Sequence, residues 1–339
     1  MNLKAREGDL LETKDNIIFD VKGLAHPPRR IVAFPRYIPD PDGDRTRDGS
    51  TYRKIYSLST RYDMLRRDLP EYLVHDQVFD TRLCEVPLKD VKHHYKPTGR
   101  LKDLLQHKDV LDRVESQALG FITLLREHAN VSWKKIGISG SILVRLHKEN
   151  SDIDPIVYGS KTCQETYAAL ETLLKDNRAP AQPYNLEDLT PLFAFRSKDT
   201  AMHFDDFVRT ESRKILQGKF MGRDYFIRFV KDWNEIQESY GAIRYTSQGY
   251  SRIEARVVND SAATFTPCSY KIDHVKILDG PRFKPLAEIA SFRGRFCEQA
   301  KTGEVVIAQG KVEKVQKQDE SAHYRLLLGS RVSDYMILV

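Results

Sequence analysis

Apolar residues recur with the period of a helix along the middle of the chain. Leucine and valine follow that period between residues 101 and 129, and TCQETYAALETLLKDN is an amphipathic helix pattern. The segments LEDLTPLFAF, MHFDDFVRTESRKILQ and KDWNEIQESYG predict further helices, and Gly241 ends the last of them. The middle of the chain is therefore predicted to be rich in helices.

Strand patterns lie between these helices and dominate the end of the chain. WKKIGISG and DIDPIVYG predict two strands on either side of a short helix, SILVRLH, and KFMGRDYFIRFV predicts a hairpin or strand. After about residue 243, segments such as RIEARVVND and EVVIAQGKVEKVQ alternate or run apolar between turns. These patterns predict an α+β protein in three parts. They are an Arg/Tyr/Pro-rich segment with strands at 1–100, a core of mixed sheet and flanking helices at 101–241, and a β-rich domain at 242–339 for which a barrel is one expected form.

Composition narrows the class of protein. The 339 residues are 40% hydrophobic and 30% charged, and 54 basic against 48 acidic residues give a net charge of +6, which permits a nucleic-acid partner without requiring one. The scattered cysteines have no metal-ligand spacing and predict reduced thiols in a cytoplasmic protein; they are Cys84, Cys163, Cys268 and Cys297. With neither a secretory leader pattern nor 18 consecutive apolar residues, the sequence predicts no membrane span.

Two carboxylates interrupt the apolar segment DIDPIVYG. Because side chains alternate along a strand, Asp152 and Asp154 project from one face, with Cα atoms ~6.6 Å apart. Ionised carboxylates at that separation repel each other unless a cation lies between them, and Mg²⁺ or Mn²⁺ is the cation that suits carboxylate and phosphate oxygens. Ten residues earlier, Gly140 and Ser141 begin a short helix whose backbone and hydroxyl could hold a phosphate.

Gly140-Ser141, ten residues and Asp152-Ile153-Asp154 resemble the signature of the polymerase β nucleotidyltransferase superfamily. The resemblance covers roughly residues 105–240, and the whole chain resembles the uncharacterised predicted nucleotidyltransferases of archaea. It implies a polymerase-β-type core that binds a nucleoside triphosphate through Gly140 and Ser141 and metal through Asp152 and Asp154. Pro155 departs from the usual apolar residue, and we expect an edge or a bulge there because proline cannot donate a sheet hydrogen bond.

The superfamily carries a third carboxylate, for which the chain offers two candidates. Asp224 heads the segment DYFIRFV and follows the connecting helices in the expected order. Glu254 lies in RIEARVV, which is similar to the third-carboxylate segment of polymerase β itself, but it falls inside the predicted β-rich domain. Either residue could act as a base or a metal ligand, or could be an ordinary exposed strand residue.

Two basic regions suggest anion contacts. Arg209 and Arg213 lie four residues apart beside Lys214, so they form either a triphosphate-binding face or a solvated helix face. Ten Lys or Arg between residues 26 and 67 are interleaved with tyrosines, as in surfaces that bind RNA or DNA. The same pattern also fits packed tyrosines covered by arginine side chains; the tyrosines are Tyr37, Tyr52, Tyr56 and Tyr62.

Together these features predict a metal-dependent nucleotidyltransferase that transfers a nucleoside monophosphate to an acceptor hydroxyl. An RNA end is the first expected acceptor, ahead of a protein side chain or a small molecule. The alternative is a catalytically inactive protein of the same fold that binds RNA or serves as a scaffold.

Overall fold

The computed structural model describes residues 3–236, 239–318 and 320–339. It is an α+β structure with 28% helix and 37% strand. The chain forms two compact units. The first comprises Met1–Val74, Leu83–Gln182 and Ile215–Gln237; the second comprises His75–Arg82, Pro183–Lys214 and Glu238–Val339. Most of the predicted N-terminal segment and most of the predicted core thus share one unit.

The first unit begins with an antiparallel sheet of order β4-β5-β3-β2-β1-β8, in which β7 also pairs with β3 and with β6. Its strands are β1 (Leu10–Thr13), β2 (Ile18–Val21), β3 (Arg30–Pro39), β4 (Arg45–Arg47), β5 (Ser50–Lys54), β6 (Leu73–Asp76), β7 (Thr81–Pro87) and β8 (Val91–Tyr95). Strands β6 and β7 belong to this unit only in part, because His75–Arg82 is assigned to the second unit. Helix α1 (Leu58–Asp68) packs its buried Met64 and Leu65 into the core that includes Phe19 and Phe34.

The rest of the first unit contains two small sheets with helices around them. One sheet has the order β14-β10-β9 and the other the order β11-β12-β13. The strands are β9 (Ile136–Ile138), β10 (Pro155–Tyr158), β11 (Ala181–Gln182), β12 (Gln217–Phe220), β13 (Arg223–Phe226) and β14 (Arg228–Val230). The helices are α2 (Pro97–Gln106), α3 (Arg113–Ala129), α4 (Gly140–Leu143) and α5 (Ser160–Leu173).

Three of the predicted helices differ in extent from those in the structure. The pattern at 101–129 is split between α2 and α3, because the Asp112 side chain caps the Glu115 N–H and starts a new helix. In KDWNEIQESYG the described helical part is one 3-10 turn, Trp233–Glu235, after which Ile236 is extended; residues 237 and 238 lie outside the described residues. The helix predicted over MHFDDFVRTESRKILQ is confirmed only as α7 (Phe204–Glu211).

The second unit contains a closed five-stranded barrel, which confirms the predicted β-rich C-terminal region. The strand order β15-β16-β17-β19-β18 closes through pairing of β18 with β15, and β20 adds to β18. The strands are β15 (Ile243–Asn259), β16 (Cys268–Asp279), β17 (Leu286–Ser291), β18 (Val305–Lys317), β19 (His323–Leu328) and β20 (Tyr335–Leu338). Alternate residues such as Ile253, Ala255 and Val257 fill the interior. Helices α6 (Leu186–Arg196) and α7 belong to the same unit.

No helix among the described residues has both the length and the apolar character needed to cross a lipid bilayer.

Candidate functional site

A sharp turn between β9 and α4 positions the Gly-Ser pair against the second aspartate. The Ser139 N–H donates to the Asp154 carbonyl oxygen at 2.9 Å, and Gly140 has a φ of +62°. A Cβ on Gly140 would lie 1.9 Å from Oδ2 of Asp154. Only glycine therefore allows the Asp154 carboxylate to lie directly on this turn.

The backbone of Ile153 determines which way the two aspartates point. Its N–H donates to the Asp224 carbonyl oxygen at 2.9 Å, and its own carbonyl oxygen accepts from the Phe226 N–H at 3.0 Å. The Ile153 side chain is fully buried. Asp152 and Asp154 consequently project from the opposite face, and both are half-buried.

The carboxyl group of Asp154 resists ionisation. Burial and the neighbouring Asp152 raise its pKa to about 7, although the positive charges of Arg228, Lys54 and Arg36 oppose that rise. A bound cation would offset the cost of ionising Asp154 beside Asp152. The pair is therefore electrostatically suited to a divalent ion.

Cationic side chains from three strands of the first unit surround the aspartates. Arg36 from β3 and Lys54 from β5 interact with both of them, and Arg228 from β14 interacts with Asp154. Burial and the nearby Arg36 lower the pKa of Lys54 to about 8, even though both aspartates raise it. Asp20 from β2 belongs to the same charged cluster. Burial raises its pKa, but Lys22, Arg228 and Arg36 outweigh this effect and hold the pKa well below its ordinary value.

Ser141 is buried beside the turn, with 2% of its surface exposed. Its Oγ makes no hydrogen bond to any residue that the structure describes. An unpaired buried hydroxyl is costly, so a ligand oxygen at this place would satisfy it. Helix α4 is only four residues long. The attraction of so short a helix dipole for phosphate is weak, which leaves backbone amides and Ser141 as the contacts on this side.

Pro155 occupies a different position from the expected one. Strand β10 is the central strand of its sheet, parallel to β14 and antiparallel to β9, so it is not an edge strand. Proline is tolerated because it is the first residue of the strand, where a missing N–H costs least.

Asp224 and Glu254, the two candidates for the third carboxylate, lie in different units. Continuing the parallel register of Ile153 with Tyr225 places Asp224 level with Asp152. Its carboxylate is 56% exposed and lies 3.4 Å from the Lys219 ammonium. Glu254 belongs to the barrel, on β15, where its neighbours Ile253 and Ala255 face the interior.

The predicted triphosphate-binding cations of the 209–214 region are engaged within the second unit. Arg213 makes a bidentate ion pair with Glu304, at 2.7 and 2.5 Å. Lys214 is buried, pairs with Glu211 at 2.7 Å and donates to the Arg295 carbonyl oxygen. Arg209 donates to the Leu338 carbonyl oxygen at 3.2 Å. Arg213 and Lys214 thus have carboxylate partners within this unit, whereas the hydrogen bond of Arg209 goes to a carbonyl oxygen.

The Arg/Tyr-rich N-terminal region is partly core. Tyr37 and Tyr52 are buried and cannot stack on a nucleic-acid base. Arg45 donates to the Leu146 carbonyl oxygen at 2.5 Å, and Arg47 pairs with Glu12. Of the four tyrosines, Tyr56 is 49% exposed. Much of this region therefore fits the second of the two predicted alternatives, packed tyrosines covered by arginine side chains.

Among the described residues, Asp152 and Asp154 do not belong to any close group of three metal-type ligands. Such a group exists elsewhere in the first unit, where ligand atoms of Asp112, Glu115 and His147 lie within 4.8 Å of one another. There the Asp112 and Glu115 side chains already form the capping box of α3, and Glu115 also pairs with Arg100. The aspartate pair would thus supply at most two protein carboxylates, a number that Mg²⁺ accepts when phosphate and water complete its shell.

Sequence reasoning missed Asp20 and Arg228 as members of the site. A carboxylate inside the apolar strand pattern IIFDV is a usable signal for Asp20, because an aspartate is rare at a buried strand position. Nothing comparable distinguishes Arg228 from the many other arginines. Its place follows from the pairing of β14 with β10.

Comparison with curated proteins finds a relative that matches nearly the whole chain. The chain is 29% identical over 336 residues to the uncharacterized protein MJ1086 of Methanocaldococcus jannaschii, covering 97% of this chain and 96% of the relative. No family model matches the chain. No solved structure matches it.

Proposed function

We propose that this protein is a metal-dependent nucleotidyltransferase of the polymerase β superfamily type, acting in the cytoplasm. It would transfer a nucleoside monophosphate from a nucleoside triphosphate to an acceptor hydroxyl and release pyrophosphate. The observation that carries the proposal is the packing of the Asp154 carboxylate on Gly140, with Asp152 on the same side of the backbone, opposite the buried Ile153.

The residues fit a divalent ion, Mg²⁺ or Mn²⁺. Two half-buried carboxylates share a face, one of them has a raised pKa, and the Ser141 hydroxyl beside them lacks a partner among the described residues. When bound, the metal would supply Lewis-acid activation of the α-phosphate and neutralise charge on the leaving group. Asp152 and Asp154 would hold it, and Ser141 would donate to a phosphate oxygen.

Arg36 and Lys54 replace Arg209, Arg213 and Lys214 in our proposal for triphosphate binding. They come from β3 and β5 of the first unit, and their charges already act on Asp152 and Asp154. Charge-assisted contacts from such groups orient a polyphosphate and stabilise its leaving pyrophosphate. An RNA end remains the first acceptor to test, followed by a protein side chain and a small molecule.

The test is pyrophosphate release from labelled nucleoside triphosphates with Mg²⁺ or Mn²⁺ and total RNA. We expect metal-dependent release that the double variant Asp152→Ala, Asp154→Ala abolishes. Asp224→Ala tests the candidate third carboxylate: a small effect would exclude it from that role, and a loss as deep as that of the double variant would support it. Release that persists in the double variant would reject the proposed site.

An inactive protein of this fold that binds RNA or serves as a scaffold is the second candidate. The observation that favours it is the presence of Arg228 and Lys54 beside the aspartates, because such cations can neutralise a carboxylate without a metal. This candidate predicts RNA binding by the purified protein without any pyrophosphate release, and no Mn²⁺ binding that depends on Asp154.

A further inference from the structure

An arginine at the start of β13 holds the segment of chain that leads into Asp152. Arg223 is the first residue of that strand, and its side chain is only 9% exposed. Its Nη1 donates to the Glu149 carbonyl oxygen at 2.5 Å and to the Ser151 carbonyl oxygen at 2.8 Å. One guanidinium nitrogen therefore bonds the backbone of two of the three residues that precede Asp152.

Other atoms of the same guanidinium are held as well. Its Nε donates to Oε1 of Gln117 on α3 at 2.6 Å, and its Nη2 lies 3.5 Å from Oε1 of Glu149. The Glu149 side chain is 66% exposed, so this ion pair adds little, whereas Gln117 ties the arginine to a helix. Because the N–H donors of a guanidinium lie in one rigid plane, these contacts fix the direction in which Nη1 points.

Strand β13 also holds the residue that follows Asp152. The N–H and the carbonyl oxygen of Ile153 both hydrogen-bond with the backbone of this strand. Asp152 thus lies between two attachments to β13, one through the Arg223 side chain at Ser151 and one through the backbone at Ile153. The Ser151 carbonyl belongs to the peptide group that joins Ser151 to Asp152, and rotation of that group would redirect the Asp152 side chain.

We propose that Arg223 is a positioning residue of the candidate metal site. By holding the carbonyl oxygens of Glu149 and Ser151, it sets the direction of the Asp152 carboxylate, and it acts through the backbone rather than on the metal or the nucleotide. This inference rests on the proposed function, which assigns Asp152 to the metal. A misplacement of ~1 Å at a reacting centre costs about 100-fold in rate, so a contact of this kind has a measurable effect.

The test is calorimetric titration of the full chain with Mn²⁺ alone, together with the kinetics of pyrophosphate release. In Arg223→Gln we expect the Mn²⁺ affinity to fall about tenfold or more and kcat to fall about 100-fold. The KM for the nucleoside triphosphate should change by no more than about threefold, because the contacts proposed for Arg36 and Lys54 are unaltered. Arg223→Lys keeps the charge but lacks the planar fork, so it should recover only part of the Mn²⁺ affinity.

The matched control is Arg113→Gln. Arg113 pairs with the same Glu149 carboxylate at 3.4 Å, and its side chain is 75% exposed. This variant should bind Mn²⁺ as the wild type does, because it removes a surface ion pair and leaves the backbone contacts of Arg223 in place.

Hydrogen exchange supplies a readout that does not depend on metal or activity. Peptides that cover residues 149–153 should exchange faster in Arg223→Gln than in the wild type, while peptides of the barrel strand β18 should exchange at the same rate. Faster exchange throughout the molecule would mark a general loss of stability and overturn the inference.

The remaining outcomes separate this inference from the proposed function. Unchanged Mn²⁺ affinity in Arg223→Gln, full affinity in Arg223→Lys, or an equal loss in Arg113→Gln would overturn the role of Arg223 and leave nucleotidyl transfer standing. Mn²⁺ binding that depends on Arg223, without pyrophosphate release in any condition, would support the positioning role and overturn nucleotidyl transfer. A wild-type protein that binds no Mn²⁺ would overturn both.

Discussion

Replacing Gly140 with alanine tests the geometry on which the proposed active site depends. The added Cβ would lie 1.9 Å from Oδ2 and 2.8 Å from Cγ of Asp154. Real Cβ contacts do not fall below 3.0 Å, so the carboxylate must retreat by roughly 1 Å. In addition, the φ of +62° costs an alanine about 1–2 kcal/mol.

These two costs affect different properties of the protein. The Asp154 carboxylate can move away by rotating its side chain, so the backbone cost dominates and we expect a loss of about 1–2 kcal/mol in the free energy of unfolding. Function is more sensitive, because a misplacement of ~1 Å at a reacting centre costs about 100-fold in rate. We therefore expect metal-dependent pyrophosphate release to fall about 100-fold and Mn²⁺ affinity to fall with it.

Gly222→Ala is the matched control for this experiment. Gly222 also has a positive φ, +80°, but a Cβ there would meet no atom within 4 Å. It should lose similar stability in urea denaturation and keep full metal binding and pyrophosphate release. If Gly140→Ala and Gly222→Ala behave alike in both functional assays, contact between the glycine turn and Asp154 is not what shapes the site.

Three further predictions concern other parts of the molecule. Lys54→Ala should raise the KM for the nucleoside triphosphate about tenfold or more with a smaller effect on kcat, and an unchanged KM would remove Lys54 from triphosphate binding. His26 has its pKa lowered to about 4 by burial, although its hydrogen bond to the Ala5 carbonyl oxygen acts in the opposite direction, so the folded state favours the neutral ring. Its contribution to stability is complete above pH 6.5 and is lost as the pH falls from 6.5 through 4. In urea denaturation at pH 7.5 and 4.5, the free energy of unfolding of the wild-type protein should therefore fall by up to about 3 kcal/mol, and this fall should be smaller in His26→Gln. An equal fall in the two proteins would contradict this assignment. Tyr270→Phe should cost about 1–3 kcal/mol by urea denaturation, because the Phe296 carbonyl oxygen and the Gln299 N–H each lose their bond to the hydroxyl, and a cost near zero would show that these groups find other partners.

Local sequence rules predicted many of the elements because those elements depend on neighbours in the chain. The alternation around Ile253 predicts a strand with an apolar inner face, and the hairpin in KFMGRDYFIRFV forms as β12 and β13. Two predicted helices differ from the structure at positions where a capping side chain starts or shortens a helical segment. Asp112 starts a new helix inside the 101–129 pattern, and Asp232 caps a turn that ends by Ile236.

By itself the sequence determined that Asp152 and Asp154 share one strand face and follow a glycine turn, because strand alternation and the freedom of glycine are local properties. Only the tertiary structure decided which charges surround them. Arg36, Lys54 and Asp20 come from strands more than 90 residues away in sequence, brought close by packing of the N-terminal sheet in the same unit. The tertiary structure also brings Arg213 into an ion pair with Glu304. Electrostatic partners depend on distance in space, and a one-dimensional pattern does not contain that distance.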